Sequence, residues 1–330
     1  MNWYLQSGKD SDVVISSKIK YFRNISGFKF NLKGKQEIQS LKTLIKNNIY
    51  NIGYELKFLE LSNMDEITKK SLIEKGLITK KFALRNNGLG AILINEDENI
   101  CIMINDEDNL KIQVFSSGYD IVNTLNLAIE VDKKIEKILG YQTNNKYGYL
   151  TTNLSDCGTG LHASAIIQLT GLLQTGNINK VISAVNSLGM NIINIYGDMF
   201  KIYNKQTLGI TENAIVRNLK VIIDKLIEQE REARKFLAKD IIDIEDKVYR
   251  SYGILQNCRK ISLEETQKLL SDIKFGTDLG ILKELTDLKV MKLYLYTKPA
   301  NLQKYLGEQY DKIEQNIKRA EVIKNIMKEA

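Results

Sequence analysis

Residues 149–169 read YLTTNLSDCGTGLHASAIIQL. Tyr149–Thr151 has the look of a strand running in, Asn153–Gly160 of a polar loop, and Leu161–Leu169 of a strand running out through alternating and then continuous apolar residues. Gly158 and Gly160 accept positive φ and let the backbone approach a ligand closely. His162, the only histidine of the chain, follows them directly. A loop held between two strands is a favourable place for chemistry, because the sheet positions it. Taken alone, the stretch is equally a glycine-containing hairpin beside a core histidine.

Upstream, Val13–Phe22 alternates, with Val13, Ile15, Ile19 and Tyr21 on one face and Ser16, Lys18 and Lys20 on the other. Lys35–Ile49 and Asp65–Glu74 predict amphipathic helices, the second capped by Ser62. Ala91–Ile94, Ile100–Ile104 and Leu110–Val114, joined by polar turns, predict an antiparallel meander. The turn 105–109 holds three carboxylates in a row, Asp106, Glu107 and Asp108. Tyr119–Leu139 predicts a long helix, Lys180–Leu188 a short one, and Asn191–Tyr196 a strand ending at Gly197 and Asp198.

From Thr211 the pattern becomes helical. Thr211 caps a long helix over Glu212–Asp240, and Ser262 with Glu265 makes a capping box before Thr266–Ile273. Leu279–Leu288, Ala300–Leu306 and Lys312–Lys328 continue the helical spacing. The expected architecture is therefore α+β: an antiparallel sheet flanked by helices over residues 1–210, then an all-helical domain over 211–330.

The composition is globular, with 43% apolar and 26% charged residues. One proline argues against Pro-rich linkers, and three scattered cysteines without a CxxC suggest neither a disulfide framework nor a zinc site. The net charge is +7, yet only eight of the 47 basic residues are arginines, and the lysines interleave with Glu and Asp along the helices. That is a solvated surface, with no basic stripe or aromatic platform for nucleic acid. With no apolar leader and no run of 18 apolar residues, the expectation is a cytoplasmic protein without a membrane partner.

Residues 151–164 match, without a gap, the frame T-S-C-P-T-N-x-G-T-G-x-R-A-S of the protein-arginine kinases. The chain thus resembles the ATP:guanidino phosphotransferases (phosphagen kinases), in their McsB branch. The likeness runs in order from about Val13 to Ile323. It includes Ser16–Lys20 against S-S-R-V-R, Arg23-Asn24 against R-N, residues 105–111 against N-E-E-D-H-L-R, and residues 193–198 against R-G-x-x-G-E. It implies Glu107 as the carboxylate that grips and deprotonates the guanidinium, Asp198 as the second carboxylate, and Asn153 at the cysteine position. It implies Ser17, Lys18, Lys20, Lys111, His162, Ala163, Ser164 and Ile193 around the ATP phosphates. Gln315, Asn316 and Arg319 fall on the branch's phosphoarginine-reading R-D-x-x-R-A motif, of which the second half survives.

The departures are chemical. All five phosphate-directed arginines of the family are replaced, by Lys18, Lys20, Lys111, His162 and Ile193. Lysine keeps charge but not the bidentate fork, and one well-placed arginine in phosphoryl transfer is worth roughly 10³–10⁵ in rate. Two readings follow. One is a degenerate pseudokinase that works by protein binding, with an arginine kinase, an McsA-type activator or a Clp chaperone as partner, needing no cofactor and binding Mg-ATP weakly. The other is an active protein-arginine kinase that uses Mg-ATP and a lysine-type phosphate clamp. The branch also implies a homodimer formed through the helical domain.

Overall fold

The computed structural model describes residues 2–49 and 52–329. Ten strands and twelve α-helices follow in order. The strands are β1 (Val14–Arg23), β2 (Lys57–Glu60), β3 (Ala91–Ile94), β4 (Ile100–Ile104), β5 (Leu110–Ser117), β6 (Thr143–Asn144), β7 (Gly148–Tyr149), β8 (Leu161–Gln168), β9 (Met190–Tyr196) and β10 (Met199–Asn204). The helices of the first part are α1 (Lys35–Asn48), α2 (Glu66–Glu74), α3 (Lys80–Leu84), α4 (Ile121–Leu139), α5 (Thr170–Gln174), α6 (Ile178–Ser187) and α7 (Glu212–Leu237). Then come α8 (Ile241–Asn257), α9 (Leu263–Asp278), α10 (Asp287–Tyr296), α11 (Pro299–Leu306) and α12 (Lys312–Lys328).

Eight strands form one antiparallel sheet in the order β2-β3-β4-β5-β1-β8-β10-β9. Side chains alternate across it. Ile19, Tyr21, Ile112, Val114, Ala163, Ala165 and Ile202 point to one face and join the main core with the stripes of α1, α4 and α7. The opposite face carries Cys101, Met103 and Phe115 at one side, covered by Leu72, Leu77 and Phe82 from the segment around α2 and α3. Its centre is left to charged side chains.

Arg23 locks the middle of the sheet. Its guanidinium is buried, donates to Asp132 of α4 at 2.7–3.2 Å and to the Thr159 carbonyl at 2.8 Å, and lies 3.7 Å from the Tyr149 ring centroid. A Cβ on Gly160 would meet Arg23 Nη1 at 2.5 Å, and one on Gly158 the Thr207 carbonyl at 2.6 Å. Both glycines have positive φ. The close approaches they allow are to Arg23 and to the backbone around Thr207.

Several local expectations are corrected. A bulge between Val14 and Ser16 puts Val14 rather than Ile15 in the core. The cap of α2 is Asp65, whose carboxylate accepts from Thr68 N at 2.6 Å, and not Ser62. Tyr149 pairs with Thr143 in the two-stranded β6–β7 hairpin and is not part of the main sheet. Leu279–Leu288 is mostly a turn, because Gly280 takes φ +73° after α9 and the next helix starts only at Asp287. Thr211 does cap α7, and Ser262 accepts from Glu265 N. The full reciprocal box forms at Asp311 with Glu314.

Helix α7 packs its stripe, Ile215 to Ala233, into the main core, whereas a second core of α8 to α12 begins at Ile244. A boundary at 210/211 assigns α7 to the helical unit; its buried side chains lie with the sheet. The two units meet through polar groups. Ser271 donates to Asp198 at 2.6 Å, Ser71 to Asn301 at 2.6 Å, and Ala300 N and Asn301 N to Glu74 at 2.8–2.9 Å. Arg234 bridges Glu230 at 2.7 Å and Asp278 at 3.2 Å. No helix among the described residues is long and apolar enough to cross a membrane.

Candidate phosphate face and active site

Residues directly opposite on paired strands share a face. Lys20 stands opposite His162 and Gln113, Lys18 opposite Ser164 and Phe115, Phe22 opposite Lys111, and Lys201 opposite Ile166 and Ile193. The open face therefore gathers Lys18, Lys20, Lys111, His162 and Lys201 across four strands, with Ser164 and Ile193 among them. Ser17 and Ala163 have the other parity and face the helices. Ser17 Oγ donates to the Gly118 carbonyl at 2.9 Å and accepts from Asp120 N at 3.1 Å, and Ala163 is buried in the main core. Of the positions the resemblance assigns to the phosphates, these two therefore do not present their side chains to the open face.

Two of these side chains have carboxylate partners. Lys111 pairs with Asp106 of the β4–β5 turn, and His162 Nε2 lies 2.8 Å from Asp156 Oδ1 with Phe22 edge-on to its ring. Burial raises the Asp156 carboxyl, but the hydrogen bond and charge of His162 prevail and hold it below the usual range. Lys18 donates only to the Gly76 carbonyl at 3.2 Å and sits 4.2 Å from the Phe115 ring centroid. Among the described residues, Lys18, Lys20 and Lys201 have no carboxylate at ion-pair distance.

The electrostatic consequence is direct. Burial, then Lys201 and Lys111, push the Lys20 ammonium down to about 7. Burial, then Lys20 and Lys201, hold Lys18 well below the ordinary lysine range, and burial lowers Lys201. A cluster of half-enclosed cations that repel one another is stabilised by a bound polyanion.

Glu107 occupies one end of this face. Lys81 of α3 forms an ion pair with its carboxylate, and Asn153 Nδ2 donates to Oε2 at 3.2 Å. The Lys81 hydrogen bond lowers the Glu107 carboxyl. The loop and the turn are tied together by Thr152, whose N donates to Asp108 at 2.7 Å and whose hydroxyl donates to the Glu107 carbonyl at 2.8 Å. Asn109 serves structure: its N donates to Asn24 Oδ1 and its own Oδ1 accepts from Ile25 N, both at 2.9 Å. The structure thus brings Glu107, Asn153, Lys111 and His162 to one end of the sheet.

Asp198 does not join them. Met199 pairs with Tyr196, so Gly197 and Asp198 make a two-residue turn between β9 and β10, beside Gln168. The carboxylate is only 3% exposed and accepts from Gln168 and Ser271 at 2.8 and 2.6 Å and from Thr170. Glu107 lies past the other end of β8, where Leu161 meets Tyr21 and Leu110 meets Arg23. The eight residues of β8 span roughly 23 Å. The expectation of Asp198 as second guanidinium carboxylate is corrected: its turn is too short to carry it to the site. Ile193 is on the open face, 46% exposed, and brings no charge.

The remnant motif on α12 is structural. Arg319 is buried and donates to the Thr297 and Ile261 carbonyls at 2.7 and 2.8 Å and to Asn316 Oδ1 at 2.6 Å. Gln315 donates to the Tyr310 carbonyl at 2.9 Å.

Lys201, Lys81 and Asp156 are site residues that the sequence did not single out, and Asp106 stands there only as a member of the acidic turn. Alternation covers only Phe200–Ile202, since Met199 and Phe200 are both apolar, so period alone does not place Lys201 on a strand. Among the described residues no group of three or more His, Cys, Asp and Glu side chains is arranged to hold a metal ion.

An antiparallel sheet flanked by helices, followed by a helical unit, with a lysine-lined open face and a carboxylate at its loop end, is the architecture of the guanidino kinases. The model of the ATP:guanido phosphotransferase C-terminal catalytic domain matches residues 37–233, and that of the protein-arginine kinase McsB C-terminal domain matches 241–330. The chain is 38% identical over 339 aligned residues to a protein-arginine kinase of Geobacillus kaustophilus, covering 99% of this chain and 93% of that one. It is 39% identical over 343 residues to a protein-arginine kinase of Bacillus licheniformis, with the same coverage. Among solved structures, a duplicated taurocyamine kinase from Schistosoma mansoni superposes with a TM-score of 0.60 at 22% identity, over 67% of this chain and 33% of that one. A lombricine kinase superposes with 0.59 at 21% identity, over 68% of each. The chain belongs to the ATP:guanido phosphotransferase family, in its protein-arginine kinase branch.

Proposed function

We propose that this chain is a nucleotide-binding pseudokinase of the protein-arginine kinase family, which holds the polyphosphate of Mg-ATP on its lysine face and acts by binding other proteins. The observation that carries the loss of transfer is the position of Asp198, buried against Ser271 at the sheet end remote from Glu107. A guanidinium at Glu107 would meet one carboxylate, not two, and positioning is most of what this reaction needs. Retained nucleotide binding is supported by Lys18, Lys20 and Lys201, which lack carboxylate partners among the described residues. In this respect the reading departs from the weak binding expected of a degenerate member. The lysines would take the phosphates and their magnesium complex; the residues fit the polyanion by charge and by shared face.

The partners that suit the family are an McsA-type activator, a Clp chaperone or an arginine kinase in the cytoplasm. The helical unit would provide the homodimer contact, and the boundary between units would fall at 238–240, after α7. A second reading, an active kinase with a lysine-type clamp, is favoured by the contact between Asn153 and Glu107. A thermal melt with ~1 mM Mg-ATP tests nucleotide binding, since a ligand stabilises by RT ln(1 + [L]/Kd). A raised Tm that is lost in Lys111→Ala supports it, and an unchanged Tm rejects it.

A further inference from the structure

We propose that Lys201 of β10 supplies the phosphate-directed cation that its cross-strand neighbour Ile193 lacks, so that the polyphosphate is gripped by Lys18, Lys20, Lys111 and Lys201. This rests on the nucleotide binding proposed above.

The placement comes from register. Lys201 lies directly opposite Ile193 on one side and Ile166 on the other, on the same face as Lys18 and Lys20. Opposite residues on antiparallel strands have Cβ atoms about 5 Å apart, well within the reach of a lysine stem. A cation on β10 therefore serves the space in front of Ile193. Ile193 is 46% exposed, so its side chain remains open to solvent on that face. Lys201 has no carboxylate partner among the described residues, and its Nζ lies 5.1 Å from the Tyr203 ring centroid. A half-buried lysine beside other lysines and without a carboxylate is unfavourable in the free protein, and perturbed lysines of this kind mark functional clusters.

The titration of Lys20 gives an independent handle. Lys20 faces Lys18 on its own strand, Lys111 on β5, His162 on β8, Lys201 on β10, and Asp106 and Asp156 in the two neighbouring loops. Lys201 is the largest of the charge effects lowering it. Removing Lys201 must raise the Lys20 pKa, so affinity for a polyanion would persist to higher pH. That shift reports the Lys201 charge beside Lys20; contact with the phosphates is read by the arginine variants below.

The test is calorimetric titration of the full chain with Mg-ATP, and separately with inorganic tripolyphosphate, near pH 7. It uses wild type, Lys201→Gln, Lys201→Arg and the double variant Lys201→Gln with Ile193→Arg. The expected result is a loss of about tenfold or more in Lys201→Gln, the scale of one charge-assisted hydrogen bond. Recovery is expected in Lys201→Arg and in the double variant, and the pH of half-maximal affinity should rise in Lys201→Gln. A similar loss for both probes assigns Lys201 to the phosphates; a loss for neither, with wild type binding Mg-ATP, overturns the proposal and leaves nucleotide binding standing. Loss without recovery in either arginine variant also overturns it. Wild type that binds neither probe overturns both.

Discussion

Glu107 and Asp198 stand at opposite ends of the sheet, separated by the length of β8, with Glu107 paired to Lys81 and Asp198 held by Ser271 of the helical unit. Two carboxylates that the sequence places in one site thus have unrelated surroundings. Asp198 reads as a joint between units. Asp198→Ala should leave three donors on Gln168, Thr170 and Ser271 without their acceptor, and cost about 3 kcal/mol. Urea unfolding would show this as a lower midpoint, while Mg-ATP affinity should stay within about twofold of wild type, on the rule that distant sites act independently.

Arg23 and Asp132 make a second, deeper lock. Arg23→Met alone should cost about 3–5 kcal/mol, because Asp132 is left charged and buried. Arg23→Met combined with Asp132→Leu should recover part of that loss. Melting temperatures of the singles and the double, compared as a cycle, check the coupling.

Lys20 makes stability depend on pH in a particular direction. Its folded pKa, about 7, lies below the ordinary value of 10.5 that it has when unfolded. Between these the unfolded chain binds more protons, so stability rises with pH across that window, by at most about 1.4 kcal/mol per pH unit from this group. Below the folded pKa the effect is constant. The difference in urea midpoint between wild type and Lys20→Met, followed from about pH 7 to about pH 9.5 in phosphate-free buffer, should shift in favour of wild type as pH rises. A difference independent of pH would contradict the assignment.

Arg319 offers no free guanidinium fork to a phosphoarginine, since backbone carbonyls and Asn316 already hold it. Free phosphoarginine should leave Tm unchanged. Arg319→Ala should cost about 2–4 kcal/mol through the buried acceptors it abandons.

Much of the fold was legible. The alternation of Lys18–Phe22 and of the three meander strands gave the faces correctly, whereas the bulge after Val14 displaced Ile15. What escaped detection has physical reasons. β2 and β10 are four and six residues long, too short for period alone to distinguish. Lys201 was hidden with β10. Asp198 was misplaced because a motif match carries residue type but not the length of the turn that presents it. Ser17 and Ala163 sit in matching frames yet point away from the ligand face, because strand parity decides direction.

A nucleotide-binding pseudokinase binds Mg-ATP without transferring its phosphoryl group. One ³¹P NMR experiment addresses both halves: the purified chain with Mg-ATP and an arginine-rich protein, beside a Glu107→Ala sample. The account predicts broadened or shifted ATP phosphate resonances and no phosphoarginine resonance above the Glu107→Ala sample. A phosphoarginine signal that grows in wild type and is absent from Glu107→Ala would contradict it and establish a working lysine clamp.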